Sequence, residues 1–363
     1  MNVFKLNGEV LIAFIAAMTI SLLVIPALKE IAGRIGLLDK PNGRKVHVKP
    51  IPVIGGLAIG ITIVLALFVS PLFQEAVLKY AIVLTTSLLL MIVGILDDRL
   101  NLRASHRLII QMICGYAIAA SGIRITSLYG ILGIVDLNIF ASYALTIFLI
   151  CGVVNAFNLI DGIDGLAGLM SLLGFALFGY LAWMLGDYTL LVILAVMMGA
   201  ISGFLRYNLS VKKIFLGDGG SLLLGFILVV TGVQLIELSN ANPSVDVRDT
   251  VSIVFGIFLI PVLDSLRVYY VRMKNGFSPF RADKNHIHHL FLYFDISHQT
   301  ISSSIAVASL SLISIILLVY NAYGLSSAII VVSILFITFM GIISAAKNLG
   351  EWKQKIGELE NRD

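Results

Sequence analysis

A polar stretch at residues 155–168 reads Asn-Ala-Phe-Asn-Leu-Ile-Asp-Gly-Ile-Asp-Gly-Leu-Ala-Gly. It lies between two apolar runs, residues 143–154 and 169–185. Carboxylates beside long apolar runs usually mark a substrate or ion path, because each would otherwise be desolvated without a partner. The stretch is therefore a candidate functional site set between two membrane-spanning segments.

The polar residues of this stretch recur at every third position, as Asn155, Asn158, Asp161 and Asp164. In one continuous α-helix each three-residue step would rotate the side chain by about 60°, so the four groups would spread over half of the circumference. We therefore expect one helix to end within the stretch and a glycine-rich turn to follow, so that all four groups face one cavity. The alternative is a glycine-packed helix contact in which Asn and Asp only cap helix ends.

The composition is that of a membrane protein. Of the 363 residues, 59% are hydrophobic and 13% are charged, whereas soluble domains carry about 25% charged residues. A helix that crosses ~30 Å of hydrocarbon needs about 20 apolar residues. About eleven runs approach this length: 10–28, 51–69, 80–96, 108–121, 139–157, 166–185, 190–205, 221–238, 251–271, 301–320 and 326–346. The predicted fold is an all-α polytopic membrane protein with about eleven transmembrane helices in a single domain, residues 1–363.

Basic residues predict the orientation of these helices. If successive loops alternate between the two sides, 21 of the 25 Lys and Arg fall on one side, and only Lys5, Lys79, Arg124 and Arg248 fall on the other. Basic loops remain on the cytoplasmic side. The N-terminus is therefore predicted to lie outside, and the C-terminus and the odd-numbered loops to lie in the cytoplasm. Residues 122–138 could form a small hairpin on the outer face.

The N-terminal residues and the two cysteines indicate neither a cleaved signal peptide nor a disulfide or zinc site. Residues 1–8 lack the basic start of a secretory signal, so the first span is expected to stay in the mature protein. Cys114 and Cys151 lie in apolar runs and are expected to fill space without forming a disulfide or a zinc site.

The first cytoplasmic loop carries a basic cluster. Residues 44–56 read Arg-Lys-Val-His-Val-Lys-Pro-Ile-Pro-Val-Ile-Gly-Gly. One interpretation is orientation and attraction to anionic lipid, worth about 1 kcal/mol per basic group. The other interpretation is a phosphate-binding lip, and this loop by itself leaves both open.

The next cytoplasmic loop opens with two adjacent acids, Asp97 and Asp98, directly after an apolar run. Adjacent carboxylates at a helix C-terminus repel each other and the helix dipole unless a cation or several donors compensate. The pair is either a solvated turn neutralised by Arg99, Arg103 and Arg107, or an acid/base or divalent-metal pair for a phosphorylated substrate.

A third loop ends in Gly217-Asp218-Gly-Gly-Ser221 ahead of an apolar run. This arrangement would place a carboxylate, flexible backbone donors and the positive end of a helix dipole together. Ser221 alone could cap the helix, but that interpretation leaves Asp218 unexplained.

The longest cytoplasmic loop, residues 277–289, contains three of the six histidines, His286, His288 and His289. Zinc binding is one interpretation, but no cysteine is nearby and the acids already suggest a hard-cation site. Anion binding fits better, because Arg281 and other basic residues of the loop accompany the histidines.

These motifs, in this order on alternate loops, resemble the polyprenyl-phosphate N-acetylhexosamine-1-phosphate transferases, and the resemblance covers nearly the whole chain. It is nearest to the bacterial branch that loads undecaprenyl phosphate with N-acetylglucosamine 1-phosphate for O-antigen, enterobacterial common antigen or teichoic acid synthesis. Pro279 and the His-Ile-His-His pattern favour this branch over the muramoyl-pentapeptide transferases. Where those place Lys after the Asp pair, this chain has Leu102 and Arg103, so that lysine's role does not transfer.

The resemblance implies a role for each motif residue. Asp218 and Asn158 would be magnesium ligands, and Mn²⁺ is an alternative metal. Phe215 would stack on uracil and Asp164 would read its edge. The candidate catalytic groups are Asp97, Asp98, Asp161, His286, His288 and His289, with Asp97 a candidate base. Further contacts to the diphosphate and the sugar are expected from Asn101, Arg107 and Arg281.

The implied reaction transfers N-acetylhexosamine 1-phosphate, most simply N-acetylglucosamine 1-phosphate, from a UDP-sugar to undecaprenyl phosphate with release of UMP. Direct attack by the lipid phosphate is favoured over a covalent aspartyl intermediate, because the acids are better explained as metal and nucleotide contacts. The expected setting is the bacterial inner membrane. A homodimer is left open, and no nucleic-acid partner is indicated.

Two other classes of protein share some of these features. An ion-coupled secondary transporter would also gather acids and glycine-broken helices, but its acids should lie near the middle of the spans and its halves should repeat. Here the acids lie at the cytoplasmic ends, and no repeat is visible. A catalytically inactive scaffold would tolerate the loss of a metal-site acid, yet all of the proposed acids are present.

Overall fold

The structure is a computed structural model that describes residues 3–39, 50–69, 73–278 and 286–360. Helices form nearly all of its regular structure. They are α1 (Val3–Ile31), α2 (Gly55–Val69), α3 (Phe73–Leu100), α4 (Ala104–Ala120), α5 (Ile139–Ile160), α6 (Leu166–Met184), α7 (Tyr188–Asn208), α8 (Gly217–Ala241), α9 (Val247–Lys274), α10 (Ile287–Leu292), α11 (His298–Tyr323) and α12 (Leu325–Glu360). Two short strands, β1 (Leu38–Asp39) and β2 (Ile51–Pro52), pair antiparallel. Residues 44–49 of the basic cluster and Arg281 lie outside the described residues.

The prediction of an all-α polytopic membrane protein is confirmed. Within the described ranges, nine helices are long and apolar enough to cross a membrane. The helices α2 and α4 are shorter, at 15 and 17 residues. The apolar run at 51–69 is helical only from Gly55, because Ile51 and Pro52 form β2. The total of about eleven spans and their orientation stay predictions.

Helices α7 and α8 form the interior of the bundle. In each of these two helices, 83% of the residues in an apolar 18-residue segment are buried. The corresponding share is 22% in α1 and 28% in α12. A helix that is apolar on all sides belongs in the interior. Helix α7 packs against α1 and α6, helix α8 packs against α3 and α5, and the short α2 contacts both α7 and α8. The polar N-terminus of α8 is thereby brought to the ends of α3 and α5.

Backbone hydrogen bonds join the segment before α2 to the segment before α8. The amide of Phe215 donates to the carbonyl of Pro52 at 2.8 Å, and the amide of Gly55 donates to the carbonyl of Phe215 at 3.0 Å. The amide of Gly56 donates to the carbonyl of Leu216 at 2.9 Å. The Gly-Gly pair of the first loop therefore fixes the backbone that leads to Asp218. This structural role holds whether the basic residues before the pair bind lipid or phosphate.

The polar stretch at 155–168 contains the expected helix end. Helix α5 stops at Ile160, and α6 begins at Leu166 after a turn. Gly165 in this turn has a φ of 84°, a left-handed conformation that glycine adopts without a steric penalty. This turn directs Asp161 and Asp164 to the same end of the bundle as the N-terminus of α8.

Two smaller predictions are confirmed. Residues 122–138 form a hairpin in which the amide of Leu128 donates to the carbonyl of Val135 and the amide of Leu137 donates to the carbonyl of Thr126. Cys114 and Cys151 are buried, as expected for residues that fill space.

Candidate active site

Arg107 of α4 joins two of the predicted acids. Its Nη1 donates to Oδ2 of Asp97 at 2.5 Å and to Oδ2 of Asp218 at 2.9 Å. The other oxygen of Asp97 accepts a hydrogen bond from the backbone amide of Leu102 at 2.6 Å. Asp97 is 7% exposed, and both of its oxygens are engaged. Its neutralisation therefore comes from a specific cation and an amide, and not from a solvated turn.

Asp98 has a different partner, the N-terminus of α8. Its carboxylate accepts hydrogen bonds from the backbone amides of Asp218 at 2.9 Å and Gly219 at 3.2 Å. The first amides of a helix lack partners within the helix and carry partial positive charge, so a carboxylate is favourable there. The close approach requires a glycine on α3, because a Cβ at Gly94 would lie 2.5 Å from the backbone of Asp218. The acid that caps α8 thus comes from another helix.

The interpretation of Ser221 as an N-cap is wrong, since α8 begins at Gly217 and Ser221 lies within its first turns. The Oγ of Ser221 instead accepts a hydrogen bond from Nδ2 of Asn158 at 2.8 Å. The same Nδ2 donates to Oδ1 of Asp218 at 2.7 Å. Asn158 and Asp218, the two predicted metal ligands, are therefore in direct contact.

The expectation that all four polar groups of the 155–164 repeat face one cavity is wrong for Asn155. Its Nδ2 donates to Oε1 of Gln111 on α4 and to the carbonyl of Cys151, both at 2.7 Å. Because α5 continues for another turn and a half before it ends, Asn155 faces a neighbouring helix. The helix-contact interpretation applies to this residue.

Asp161 is the carboxylate with the fewest compensating contacts. It is half-buried, and none of the described residues donates a hydrogen bond to it. Burial raises the pKa of Asp161 well above its ordinary value, and the negative charges of Asp218 and Asp98 raise it further. Asp161 therefore lies in the same electrostatic field as the acids at the N-terminus of α8.

Asp164 is held by two basic side chains. Lys213 Nζ lies 2.6 Å and His298 Nδ1 lies 3.0 Å from the same oxygen, Oδ2. Burial raises the pKa of Asp164, but the hydrogen bonds from His298 and Lys213 outweigh it and hold the pKa below its ordinary value. Lys213 also lies 5.4 Å from the ring centroid of Phe215. The two predicted uracil contacts are thus neighbours of one lysine.

A cavity of about 360 Å³ opens beside Asp164, within the usual size range of small-molecule sites. Seven of its nine lining residues have polar or charged side chains: Asp164, Asn208, Ser210, Lys213, Ser297, His298 and Gln299, with Leu209 and Val211 completing the lining. The cavity gives Asp164 access to a ligand.

The three histidine rings lie side by side at the start of α10 and are called the histidine stack below, although only His286 and His288 are parallel. The rings of His286 and His288 are nearly parallel with centroids 5.9 Å apart, and those of His288 and His289 lie 4.3 Å apart. Burial lowers the pKa of His288 to about 3, and the neighbouring histidines lower it further. A Cβ on Gly162 would overlap Nε2 of His288, so α10 packs directly on the turn that carries Asp161. Neither ring nitrogen of His288 has a partner among the described residues.

Comparison with known proteins assigns the chain to a family. Residues 80–236 match the model of Glycosyl transferase family 4. A probable undecaprenyl-phosphate N-acetylglucosaminyl 1-phosphate transferase of Bacillus subtilis is 32% identical over 339 residues, which cover 92% of this chain and 90% of the relative. The corresponding alpha-N-acetylglucosaminyl transferases of Yersinia pestis and Escherichia coli K12 are 31% and 29% identical, covering 87% and 79% of this chain and 85% and 77% of the relatives. The chain belongs to this transferase family.

The structure places most of the predicted site residues of this transferase together, with two exceptions. Asn101 is exposed, follows the last turn of α3 and has a φ of 51°, a conformation that Asn tolerates at helix C-termini. Its backbone amide donates to the carbonyl of Asp97 at 2.8 Å. No hydrogen bond joins its side chain to an acid among the described residues. Arg281 lies outside the described residues. Among those residues, no three His, Cys, Asp or Glu side chains converge closely enough to share a metal ion.

Three residues of the site were missed from the sequence: Lys213, His298 and Asp264. Lys213 and His298 hold Asp164. Asp264 lies in α9, is fully buried, and contacts both His286 and Arg267. A sequence signal for Asp264 did exist, because it is a carboxylate within the apolar run 251–271 and such acids usually have a function.

Proposed function

We propose that this chain transfers N-acetylglucosamine 1-phosphate from UDP-N-acetylglucosamine to undecaprenyl phosphate and releases UMP. The observation that carries the proposal is the bridge from Arg107 to Asp97 and Asp218, where the C-terminal end of α3 meets the N-terminal ends of α4 and α8. In a member of this family, the bridge joins the Asp97-Asp98 motif to the Gly217-Asp218 motif, and both motifs are expected to serve one reaction. The relatives found are transferases, which favours this reaction over the transporter alternative.

The nucleotide is proposed to bind at Asp164 and Phe215. Both basic partners of Asp164 contact Oδ2. Within the described part of the chain no side chain donates to Oδ1, which can therefore accept a hydrogen bond from the N3–H of uracil. Phe215 would supply a stacking surface beside the cavity. In this arrangement Lys213 and His298 keep Asp164 ionised and oriented.

A divalent metal fits the donor set on chemical grounds. Carboxylate and amide oxygens are ligands that Mg²⁺ prefers, and Asp218 is one-third exposed at its side chain. Asp218 and Asn158 would hold the ion, although the Asn158 amide must rotate because Nδ2 now faces Asp218. When bound, Mg²⁺, or Mn²⁺ in its place, would neutralise phosphate charge and stabilise the leaving UMP.

The chain's own residues would position the two anionic substrates. Arg107 would offset negative charge between them, and His288, uncharged at neutral pH, could donate an N–H to a diphosphate oxygen. Asp161 fits the role of proton acceptor better than Asp97, because both oxygens of Asp97 are already engaged. We favour direct attack by the lipid phosphate, since neither Asp97 nor Asp98 has an oxygen free of hydrogen bonds.

The apolar helices show that the protein lies in a membrane. We propose that this membrane is the bacterial cytoplasmic membrane. The relatives are bacterial, and a cytoplasmic membrane suits a substrate, UDP-sugar, that is made in the cytoplasm. With the N-terminus outside, the acids would face the cytoplasm. A homodimer stays a prediction.

The direct test incubates the purified full-length protein with undecaprenyl phosphate, Mg²⁺ and each of several UDP-sugars, and measures UMP. We expect UMP only when the lipid is present and with UDP-N-acetylglucosamine as the best donor. Asp218→Ala is expected to abolish release, whereas Asp246→Asn, at the exposed N-cap of α9, should keep it. Faster turnover of UDP-muramoyl-pentapeptide, or substrate uptake into vesicles without UMP, would refute the proposal.

A further inference from the structure

Asp264 is a fully buried carboxylate that the proposed reaction does not yet use. It lies in α9 at 0% exposure, 22 residues before the histidine it contacts. A buried carboxylate persists only when several donors or charges compensate its desolvation. The contacts of Asp264 therefore indicate its role.

Those contacts fall into two sets. On one side, Arg267 donates to Oδ1 from Nη2 at 2.7 Å and from Nε at 3.2 Å. On the other, Oδ2 lies 2.9 Å from Nδ1 of His286, and the backbone amide of Ile287 donates to both oxygens at 3.1 and 3.2 Å. Arg267 alone could neutralise the charge, so the second set adds something beyond neutralisation.

The second set fixes the chemistry of His286. A carboxylate only accepts hydrogen bonds, so Nδ1 beside it must carry the proton. In the neutral ring Nε2 is then an acceptor, and it is buried without a partner among the described residues. Nε2 is therefore the nitrogen of His286 that is left to meet a substrate group.

The same carboxylate also fixes the start of α10. Its bonds to Ile287 set the backbone directly after His286 and before His288. The rings of His286 and His288, which flank this backbone, lie nearly parallel with their centroids 5.9 Å apart. One buried group in α9 thus controls both the ring orientation of His286 and the placement of the histidine stack.

We propose that Asp264 is a positioning residue of the transferase reaction, which acts through His286 by holding its Nδ1–H and presenting Nε2 to the substrates. This inference rests on the proposed function, because it requires His286 to contact a reacting substrate. A carboxylate that orients a histidine in this way contributes to turnover more than to binding, since the orientation matters most in the transition state.

The experiment compares Asp264→Asn, His286→Ala and the double variant in the UMP-release assay. In Asp264→Asn, the amide can still accept from Ile287 but can turn its Nδ2 to His286 and reverse the tautomer. We expect kcat to fall about 10²-fold, with KM for UDP-N-acetylglucosamine changed less than about threefold. Asp246→Asn, on the same helix and outside the site, is the matched control and should match the wild type.

The double variant decides between positioning and structural roles. If Asp264 acts through His286, adding Asp264→Asn to His286→Ala should change kcat less than about twofold. A further tenfold or greater fall would overturn the proposal, as would an unchanged kcat in the single variant. Should Asp264→Asn fail to give a monodisperse folded protein, Asp264→Glu replaces it in the same cycle. The longer side chain keeps the charge beside Arg267 but moves the acceptor away from Nδ1 of His286. We then expect kcat to fall at least about tenfold in the otherwise wild-type protein and to change less than about twofold in His286→Ala, and an unchanged kcat in Asp264→Glu alone would overturn the proposal. An inactive wild type would instead refute the proposed function.

Discussion

Asp98 of α3 caps the helix that carries Asp218, through hydrogen bonds from the amides of Asp218 and Gly219 to its two carboxylate oxygens. Asp97, its neighbour in sequence, pairs with Arg107 instead. The two adjacent acids therefore face different donors. Each of them positions Asp218, one through its backbone and the other through a shared guanidinium.

Asp98→Ala is expected to lower both stability and activity. Loss of a helix cap costs about 1 kcal/mol, and a displaced Asp218 should lower kcat at least tenfold, on the order of what a 1 Å misplacement can cause. Asp98→Asn keeps one acceptor oxygen and should fall between Ala and the wild type. Thermal unfolding and UMP release measure the two effects.

The control for Asp98 is Asp246→Ala, which removes a side-chain cap from α9. It should lose a similar amount of stability and keep full activity. Equal loss of activity in both variants would mean that Asp98 matters only for stability.

Arg107→Ala should make the protein depend on divalent cations for its stability. Without the guanidinium, Asp97 and Asp218 lose a shared donor and repel each other, and a buried group left without its partner costs about 1–3 kcal/mol. Because Mg²⁺ could compensate that charge, the Tm of the variant should rise more steeply with Mg²⁺ than that of the wild type. Arg103→Ala, at an exposed position four residues earlier, is the control and should show the wild-type slope. Parallel Mg²⁺ titrations of Arg107→Ala and the wild type would contradict the assigned bridge.

Asp161→Asn is expected to stabilise the protein while it removes activity. The pKa of Asp161 is raised in the folded state, so the folded protein binds a proton more tightly than the unfolded chain, and stability is lost as pH rises through that folded pKa. The neutral amide removes this loss. The Tm advantage of the variant, roughly 2 °C for a gain on the order of 1 kcal/mol, should therefore grow as pH rises from the ordinary carboxyl value of 3.8 towards neutrality.

Unfolding scans at several pH values, together with UMP release, test this prediction. An advantage that shrinks with rising pH would show that Asp161 is ionised and stabilised in the folded state. Full activity in Asp161→Asn would remove it from the candidate catalytic groups.

The sequence predicts the helices well because length and hydrophobicity alone decide which segments cross a membrane. It also predicts which loops hold the site, because ionisable groups next to membrane-spanning segments are energetically costly and usually have a function. Side-chain contacts between residues of different helices are harder to predict from the sequence. Asp164 meets His298 across 134 residues and Lys213 across 49, and neither pairing leaves a periodic signal. Asn155 fits the three-residue repeat yet faces Gln111, because the repeat does not show where α5 ends.

The predicted orientation can be tested independently of catalysis. Because the basic residues are concentrated on one side, alkaline phosphatase fused to the C-terminus should be inactive, as expected for a cytoplasmic location. The same reporter fused within the 122–138 hairpin should be active. A reversed pattern would place the acids outside, where no UDP-sugar is available.

Gly162→Ala tests whether the contact between the Asp161 turn and the histidine stack matters for turnover. An added Cβ would overlap the buried ring of His288, so the ring must move away from the turn. Misplacement of a positioned group by about 1 Å can lower the rate about 10²-fold, and we expect kcat for UMP release to fall at least tenfold with little change in Tm. Gly152→Ala, on α5 with no atom within 4 Å of the added Cβ, should leave kcat unchanged. If Gly162→Ala turns over as fast as Gly152→Ala, the position of His288 does not limit the reaction, and the histidine stack must act at binding or not at all.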